Sequence, residues 1–291
     1  MMKLVCAAVL VVAAAVQPRA SRRIVTMAAE APKRILVLGG SGFVGREVCR
    51  RAVRRGWSVT SLSRRGINPV EDDPALGSVS WKAGDAADAA TVKALVQNSD
   101  AVVHAIGLLF DVESGLQQLS PIVSGSKSVP GPDSTYDRIS RLTAFNAVDA
   151  AVGKLRLPFS RRVPFAYVSC AEAGWPGVQF GDVVEERLAP EWLKKYLVAK
   201  RAVEAKLGAS SAVVRPIIYR PSLIWNWSKF DVLPIIPIFD IASKMGVPFV
   251  DRTMRVEALA DAIVAGVADE SVEGVQRYMQ MDELAAKAQA K

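Results

Sequence analysis

The chain has 291 residues, of which 51% are apolar and 23% are charged, and its formal net charge is +8. This composition excludes a disordered tail or a low-complexity fibre, and the length fits one α/β domain with an appended lobe. Positive charge is concentrated in the first 65 residues while the remainder is mildly acidic, which argues against a nucleic-acid-binding protein.

Residues 1–30 have the pattern of a targeting leader. Lys3 precedes the apolar run Leu4 to Val16, which is too short to span a bilayer and has the length of a signal-peptide core. The next segment contains Arg and Ser but no acid before Glu30, as transit peptides do. Together they resemble the bipartite leader of plastid proteins in algae with complex plastids. We therefore predict a plastid, with a mitochondrial presequence or a retained membrane anchor as the alternatives.

Residues 33–63 predict a complete strand–turn–helix–strand unit. Two charges followed by an apolar run predict a buried parallel strand over 33–38. After the glycine turn, the sequence predicts an amphipathic helix that ends at about Arg55 and a second strand over 57–63. The turn between the first strand and the helix consists of Gly39, Gly40, Ser41, Gly42, Phe43, Val44 and Gly45. Its glycines would permit a tight turn, approach of a pyrophosphate at Gly42 and close helix packing at Gly45, with the first-glycine role open between Gly39 and Gly40. A dinucleotide site is predicted here.

The end of the second strand bears on the choice of dinucleotide. NAD-binding sites usually place an acid there to hold the ribose 2′-hydroxyl. Here Arg64 and Arg65 follow the strand and no acid is present. Because a guanidinium pairs well with a phosphate, NADP(H) is favoured and NAD(H) is the alternative, although the two arginines are also compatible with a solvated basic turn.

The rest of the chain alternates strands and helices. Predicted strands lie at 79–85, 100–107, 163–169 and 212–215, predicted helices at 91–97, 136–153 and 191–207, and a loop at 118–134. This order predicts a Rossmann-type doubly wound parallel sheet, with the ligand beyond the carboxyl ends of the strands. We expect a single domain over 31–291, with a small C-terminal lobe mainly from about 217 to 255. The three cysteines have neither disulfide nor zinc spacing, so no metal site is expected.

Several motifs carry a resemblance to a known family. Tyr196 and Lys200 form a Tyr-x-x-x-Lys pair, Gly84-Asp85 follows the third strand, and Arg215-Pro216 follows a strand. With the glycine turn, this resembles the short-chain dehydrogenase/reductase superfamily in its epimerase/dehydratase-related branch, over about 33–280. The segments LGGSGFVGREVC, VVHAIGLL, STYDRISRL and YLVAKRAVEAKL are more narrowly similar to the group containing the Rossmann accessory subunit of respiratory complex I, a mitochondrial accessory protein of ubiquinone biosynthesis and its plastid homologue.

The resemblance implies specific roles. Tyr196 would be the general acid/base, and Lys200 would lower its pKa and hold the cofactor ribose. Ser169 would bind the substrate oxygen, but if the working position is one or two residues later, Cys170 or Ala171 supplies no hydroxyl. The expected further cofactor contacts are at Asp85, Ala105 and Gly107.

Two functions remain open from the sequence. One is an NAD(P)-dependent oxidoreductase or epimerase-type enzyme acting on a hydrophobic carbonyl or alcohol linked to quinone or isoprenoid-lipid metabolism. The other is a non-catalytic accessory factor for a quinone-biosynthesis or respiratory complex.

Two further features bear on partners, and a third, His104, bears on the core. An arginine stripe on the first helix, opposed only by Glu47, and the aromatic segment 223–239 are compatible with a peripheral contact to an organellar membrane or protein complex. The stripe consists of Arg46, Arg50, Arg51, Arg54 and Arg55. His104 is expected to be a core imidazole rather than a base.

Overall fold

The computed structural model describes residues 33–114, 131–155, 160–227, 236–246 and 249–290, all within the compact unit Pro32–Lys291. The predicted leader, residues 1–30, lies outside the described residues. Most of the predicted loop 118–134 and part of the aromatic segment 223–239 lie outside them as well.

Nine strands are present among the described residues, and seven of them form the main sheet. In chain order they are β1 Arg34–Leu38, β2 Ser58–Ser63, β3 Ser80–Ala83, β4 Ala101–His104, β5 Val163–Val168, β6 Val214–Tyr219, β7 Ile224–Trp225, β8 Met254–Arg255 and β9 Gly274–Gln276. The main sheet is parallel, with the order β3-β2-β1-β4-β5-β6-β9. Strand order reverses between β1 and β4, so their carboxyl ends flank the crevice in which such sheets bind ligands. The predicted doubly wound parallel sheet is confirmed.

Helices cover both faces of this sheet. They are α1 Phe43–Arg54, α2 Pro74–Gly77, α3 Ala89–Gln97, α4 Thr143–Val152, α5 Gly181–Leu188, α6 Glu191–Ala209, α7 Ile236–Lys244, α8 Val256–Ala268 and α9 Tyr278–Gln289. A π-helical stretch, Asp137–Leu142, precedes α4, and 3-10 turns occupy Val112–Ser114 and Ala171–Gly177. The helix predicted over 136–153 is therefore found as two pieces of different hydrogen-bond period.

The strand β1 shows why helices cover both faces of the sheet. Ile35 and Val37 pack with apolar residues of α1, α8 and α9, whereas Leu36 and Leu38 pack with those of α3, α4 and α6. All four are at most 1% exposed. Burying such a side chain contributes about 1.5–3 kcal/mol, so a continuous apolar run is stable only between two helical layers.

The small lobe begins later than the sequence indicated. Ile217 to Tyr219, at the start of the predicted lobe, belong to β6, which is paired on both sides within the main sheet, with β5 and β9. After Arg220 the chain forms the two-stranded pair of β7 with β8 and the helix α7. No helix within the described residues has the length and apolar character needed to cross a membrane.

The C-terminal segment completes the sheet. β9, which the sequence did not predict, pairs in parallel with β6. The buried Arg215 guanidinium donates to the carbonyls of Gly266 at 3.1 Å, Val267 at 2.9 Å and Asp269 at 3.0 Å. These carbonyls lie at the C-terminal end of α8, which favours a cation, so Arg215 joins β6 to the end of α8.

The arginine stripe on α1 is not opposed by Glu47 alone, and that part of the sequence interpretation is wrong. Arg50 pairs with Glu47 and, at 2.6 Å, with Asp73, while Arg51 pairs with Asp261 at 2.6 Å. The guanidiniums of the other stripe residues Arg46 and Arg55 lie over the rings of Phe43 and Trp57. Acids distant in sequence thus pair with two of the five stripe arginines, and through these pairs Arg50 and Arg51 anchor α1 within the domain.

Candidate functional site

The glycine turn between β1 and α1 is tightly built. Gly39 has φ +85°, and a Cβ there would lie 2.9 Å from Ile106 Cγ1. A Cβ at Gly40 would overlap the Ser61 side chain, and one at Gly45 would overlap the Gly39 carbonyl. Gly39 is thus the residue that needs the left-handed conformation, and Gly40 and Gly45 allow close packing against β2 and the turn.

Gly42 differs from the other turn glycines because its outer side is open. A Cβ there would meet only the Gly39 carbonyl oxygen, at 3.1 Å. Gly42 is the N-cap of α1, so the first turn of the helix, which includes Phe43 and Val44, begins beside this open side. Ser41 is the neighbouring, partly exposed residue. An open backbone at a helix N-terminus suits a phosphate group.

The turn after β2 presents two arginines. Gly66 has φ +61°, packs against the backbone of Ala83 and donates its N–H to Ser63 Oγ at 3.2 Å. Arg64 and Arg65 lie between these anchors and are exposed. Within the described part of the chain neither forms an ion pair, and no acid occupies the end of β2. The turn can therefore offer guanidinium groups to an anion.

The remaining predicted cofactor residues differ in their surroundings. Asp85 accepts from Arg138 Nη2 at 2.7 Å and from the Ala87 amide at 2.9 Å, so its carboxylate already has protein partners. Ala105 donates its N–H to the Leu38 carbonyl at 2.9 Å and lies against Gly39. Gly107 is exposed, with open space where a Cβ would stand. The fold thus brings Ala105 to the glycine turn.

Tyr196 and Lys200 meet on one face of α6. Lys200 is buried, and its Nζ lies 5.4 Å from the centroid of the Tyr196 ring and 5.0 Å from that of Tyr167. The ammonium donates to the Val168 carbonyl at 2.8 Å, which places it at the carboxyl end of β5. Burial lowers the pKa of Lys200 to about 8. The edge of the Tyr196 ring contacts Tyr136, with centroids 5.5 Å apart.

The Ser169 hydroxyl is directed into a buried ion pair. Ser169 Oγ donates to Glu204 Oε1 at 2.5 Å, and Glu204 also accepts from Arg220 Nε at 3.1 Å. Glu204 and Ser169 are 9% and 4% exposed. The structure therefore joins Tyr196 with Lys200, as predicted, but binds the Ser169 hydroxyl to a carboxylate.

Cys170 packs in the same small buried cluster as Tyr196. It is also a neighbour of Glu172 and influences the pKa of that carboxyl group. Burial raises the pKa of Cys170 to about 12, so it is a protonated thiol at neutral pH. Burial, followed by the neighbouring Cys170 and Glu172, raises the pKa of Tyr196 well above its ordinary range. In this arrangement the Tyr196 side chain is a neutral phenol at physiological pH.

Comparison with known proteins identifies the family to which this fold is similar. Residues 35–123 match the model of the NAD dependent epimerase/dehydratase family. The resemblance predicted from the sequence is confirmed at this level.

Two curated relatives extend the comparison. MIOREX complex component 2 of Saccharomyces cerevisiae is 27% identical over 217 residues, which is 66% of this chain and 73% of the relative. An uncharacterized chloroplastic protein of Arabidopsis thaliana is 26% identical over 277 residues, or 89% of this chain and 79% of the relative.

Solved structures show the same fold. WbmF of Bordetella bronchiseptica in complex with NAD+ has a TM-score of 0.54 at 17% identity, covering 89% of this chain and 78% of its own. An oxidoreductase of the short chain dehydrogenase/reductase family from Burkholderia thailandensis has a TM-score of 0.55 at 15% identity, covering 84% and 90%. At these identities the likeness concerns the fold alone.

His104 lies in the core of the domain, at the end of β4. It is fully buried, its Nε2 lies 2.9 Å from Thr143 Oγ1, and its ring is 5.6 Å from that of Tyr167. Burial, aided by Lys200, lowers the pKa of His104 to about 3, so the imidazole is neutral at physiological pH. This is the core imidazole that the sequence led us to expect.

Sequence reasoning missed Glu204, Arg220 and Glu172. Glu204 follows Lys200 by four residues and so shares its buried face of α6, a position at which a carboxylate needs a partner. Arg220 ends β6 at the sheet edge where ligands bind. These two positions were readable signals, whereas nothing local marks Glu172 as a neighbour of Tyr196.

Proposed function

We propose that the protein binds a nicotinamide dinucleotide at the glycine turn, with NADP(H) favoured over NAD(H). The open side of Gly42 at the N-terminus of α1 carries this proposal, because a pyrophosphate needs close approach to the backbone at the positive end of a helix. Exposed Arg64 and Arg65 after β2 support the choice of NADP(H), since they can pair with a 2′-phosphate. The family match over 35–123 and the NAD+ complex of WbmF favour a cofactor of this class.

Fluorescence titration with NADPH and NADH tests this proposal. Wild type should bind NADPH more tightly, and Arg64→Ser with Arg65→Ser should weaken NADPH binding about 10- to 100-fold while leaving NADH unchanged, the scale of lost charged hydrogen bonds. Arg187→Ser, an exposed arginine on α5, is the matched control. Equal affinities for the two cofactors, or tighter binding of NADH, would contradict the choice of NADP(H).

The same site supports an oxidoreductase or epimerase-type reaction on a hydrophobic carbonyl or alcohol. A bound nicotinamide would supply hydride transfer. Tyr196, kept protonated by its surroundings, would hold the proton for the substrate oxygen, and Lys200 beside it would supply positive charge. The Ser169 hydroxyl donates to Glu204, so in this arrangement Ser169 would hold Glu204 in place and would not bind the substrate oxygen itself. The link to quinone or isoprenoid-lipid substrates rests on the family resemblance.

A non-catalytic accessory role is the second candidate. It is favoured by Ser169, which is bonded to Glu204 instead of being free for a substrate, and by Cys170, a residue without a hydroxyl that packs in the same cluster as Tyr196. The name of the Saccharomyces cerevisiae relative, a MIOREX complex component, favours a contact with a protein complex. The chloroplastic Arabidopsis relative supports placement in an organelle, with a plastid favoured and a mitochondrion as the alternative.

Tyr196→Phe separates the two candidates. The ring would still pack against Tyr136 and only the hydroxyl would be lost, so affinity for NADPH should be unchanged. In an enzyme, NADPH oxidation with a short-chain quinone should fall about 10²-fold or more, whereas Tyr278→Phe on α9 should have no effect. If Tyr196→Phe instead restores the organellar quinone content of a deletion strain as well as wild type does, the accessory role is supported and catalysis by Tyr196 is excluded.

A further inference from the structure

A polar cavity of about 180 Å³ opens at the carboxyl end of β6. Its walls come from the loop after β5, the end of β6, the segment before β8 and the N-terminus of α9. The wall residues used below are Gly174, Trp175, Arg220, Phe249, Asp251 and Arg277. Ala171, which also lines the cavity, directly follows Cys170 and so places the cavity beside the Tyr196 site.

Arg220 forms the inner wall and is held from behind. Its Nε and Nη2 donate to the two carboxylate oxygens of Glu204, at 3.1 and 2.5 Å. Among the described residues Nη1 has no acceptor, and a Cβ at Gly174 would lie 2.9 Å from it. Glycine at 174 therefore leaves room for Nη1, and one edge of a fixed guanidinium remains available to the cavity.

Arg277 forms the outer wall. Its Nη2 donates to Asp251 Oδ1 at 3.0 Å and Oδ2 at 3.3 Å, while half of its side chain, 52%, stays exposed. Arg220, Arg277 and Asp251 are the charged residues of the wall, and each guanidinium is held by one carboxylate, Arg220 by Glu204 and Arg277 by Asp251. Trp175 and Phe249 add two aromatic surfaces to the same wall.

We propose that this cavity binds the oxyanion group, a carboxylate or a phosphate, of a small ligand that carries an aromatic or apolar body. Two guanidiniums with free donors match an oxyanion, and the aromatic residues suit the body. The assignment of this ligand as the substrate of Tyr196 rests on the proposed function. The anion site itself rests on Arg220 and Arg277.

Calorimetric titration of the full chain, with and without saturating NADPH, tests the site. The probes are benzoate and phenyl phosphate, which distinguish the two sources of oxyanion, and uncharged benzamide. Arg277→Gln should weaken anion binding about tenfold, the scale of one charge-assisted hydrogen bond. Gly174→Ala should also weaken it, by displacing Arg220 Nη1 without removing charge. Arg252→Gln is the matched control, since Arg252 is 58% exposed and pairs with Asp282 outside the cavity.

Saturable binding of either anion, absent with benzamide and weakened by Arg277→Gln but not by Arg252→Gln, supports the site. Equal weakening by both arginine variants would show general attraction to a basic surface and would overturn it. Binding of NADPH without binding of either anion would overturn the site and leave the proposed dinucleotide function intact. Arg277-dependent anion binding without NADPH binding would keep the site and reject the proposed function.

Discussion

Removal of the Arg220 guanidinium should be one of the most destabilising single changes in this domain. Glu204 is 9% exposed and has two groups of partners, Arg220 and the Ser169 hydroxyl. Arg220→Gln would leave the Glu204 carboxylate buried with one neutral donor, the Ser169 hydroxyl. Breaking a buried ion pair in this way lowers the free energy of unfolding by about 3–5 kcal/mol. For a domain of this size, each kcal/mol corresponds to about 2–4 °C in Tm, so the loss should be about 6–20 °C in thermal unfolding followed by circular dichroism.

A double-variant cycle shows whether the pair is the cause. Arg220→Gln with Glu204→Gln removes both charges, and this double variant should recover at least half of the lost Tm because no uncompensated charge stays buried. Arg252→Gln breaks the exposed pair with Asp282 and should cost at most about 1 kcal/mol. If Arg220→Gln unfolds within 2–3 °C of the control, about the shift that 1 kcal/mol produces, then Glu204 is not the buried, dependent carboxylate described here.

Two further predictions concern the glycine turn and Lys200. Gly42→Val should abolish NADPH binding in a fluorescence titration with little change in Tm, whereas Gly45→Ala should lower Tm because its Cβ overlaps the Gly39 carbonyl. A large loss of Tm in Gly42→Val would contradict this prediction. Burial lowers the pKa of Lys200 from 10.5 to about 8, so between these pH values the unfolded state binds a proton that the folded state releases, and stability rises with pH. Denaturant unfolding of Lys200→Met, relative to wild type, should lack that rise between pH 8 and 10.

The local parts of the site were predictable, and the long-range parts were not. The glycine turn and the Tyr196–Lys200 pair are encoded within seven and five consecutive residues, and backbone geometry fixes what they can do. The Ser169 hydroxyl looked free because its partner, Glu204, lies 35 residues away. Arg50 was predicted to be opposed by Glu47 alone because its second partner, Asp73, lies 23 residues away. Asp73 is the N-cap of a short helix that no hydrophobic periodicity predicts.

The strand β9 was missed for a related reason. Gly274–Gln276 is three residues long, and a run that short carries no alternation or apolar pattern to recognise. Its position is set by β6, whose register pairs Ile217 with Gly274 and Tyr219 with Gln276. A segment this short forms a strand because an adjacent strand, here β6, supplies backbone hydrogen-bond partners along its edge.

The late arrival of β9 has a consequence for biosynthesis. Until the final segment of the chain has left the ribosome, β6 has one side without a neighbour and Arg215 lacks the α8 carbonyls that it binds. From the synthesis of β6 until β9 follows it, a nascent chain therefore carries an apolar, unprotected strand edge, the kind of edge that recruits other chains. Truncation before residue 274 would make that condition permanent, so chains interrupted near the end should be substrates for chaperones or proteases, not partly active proteins.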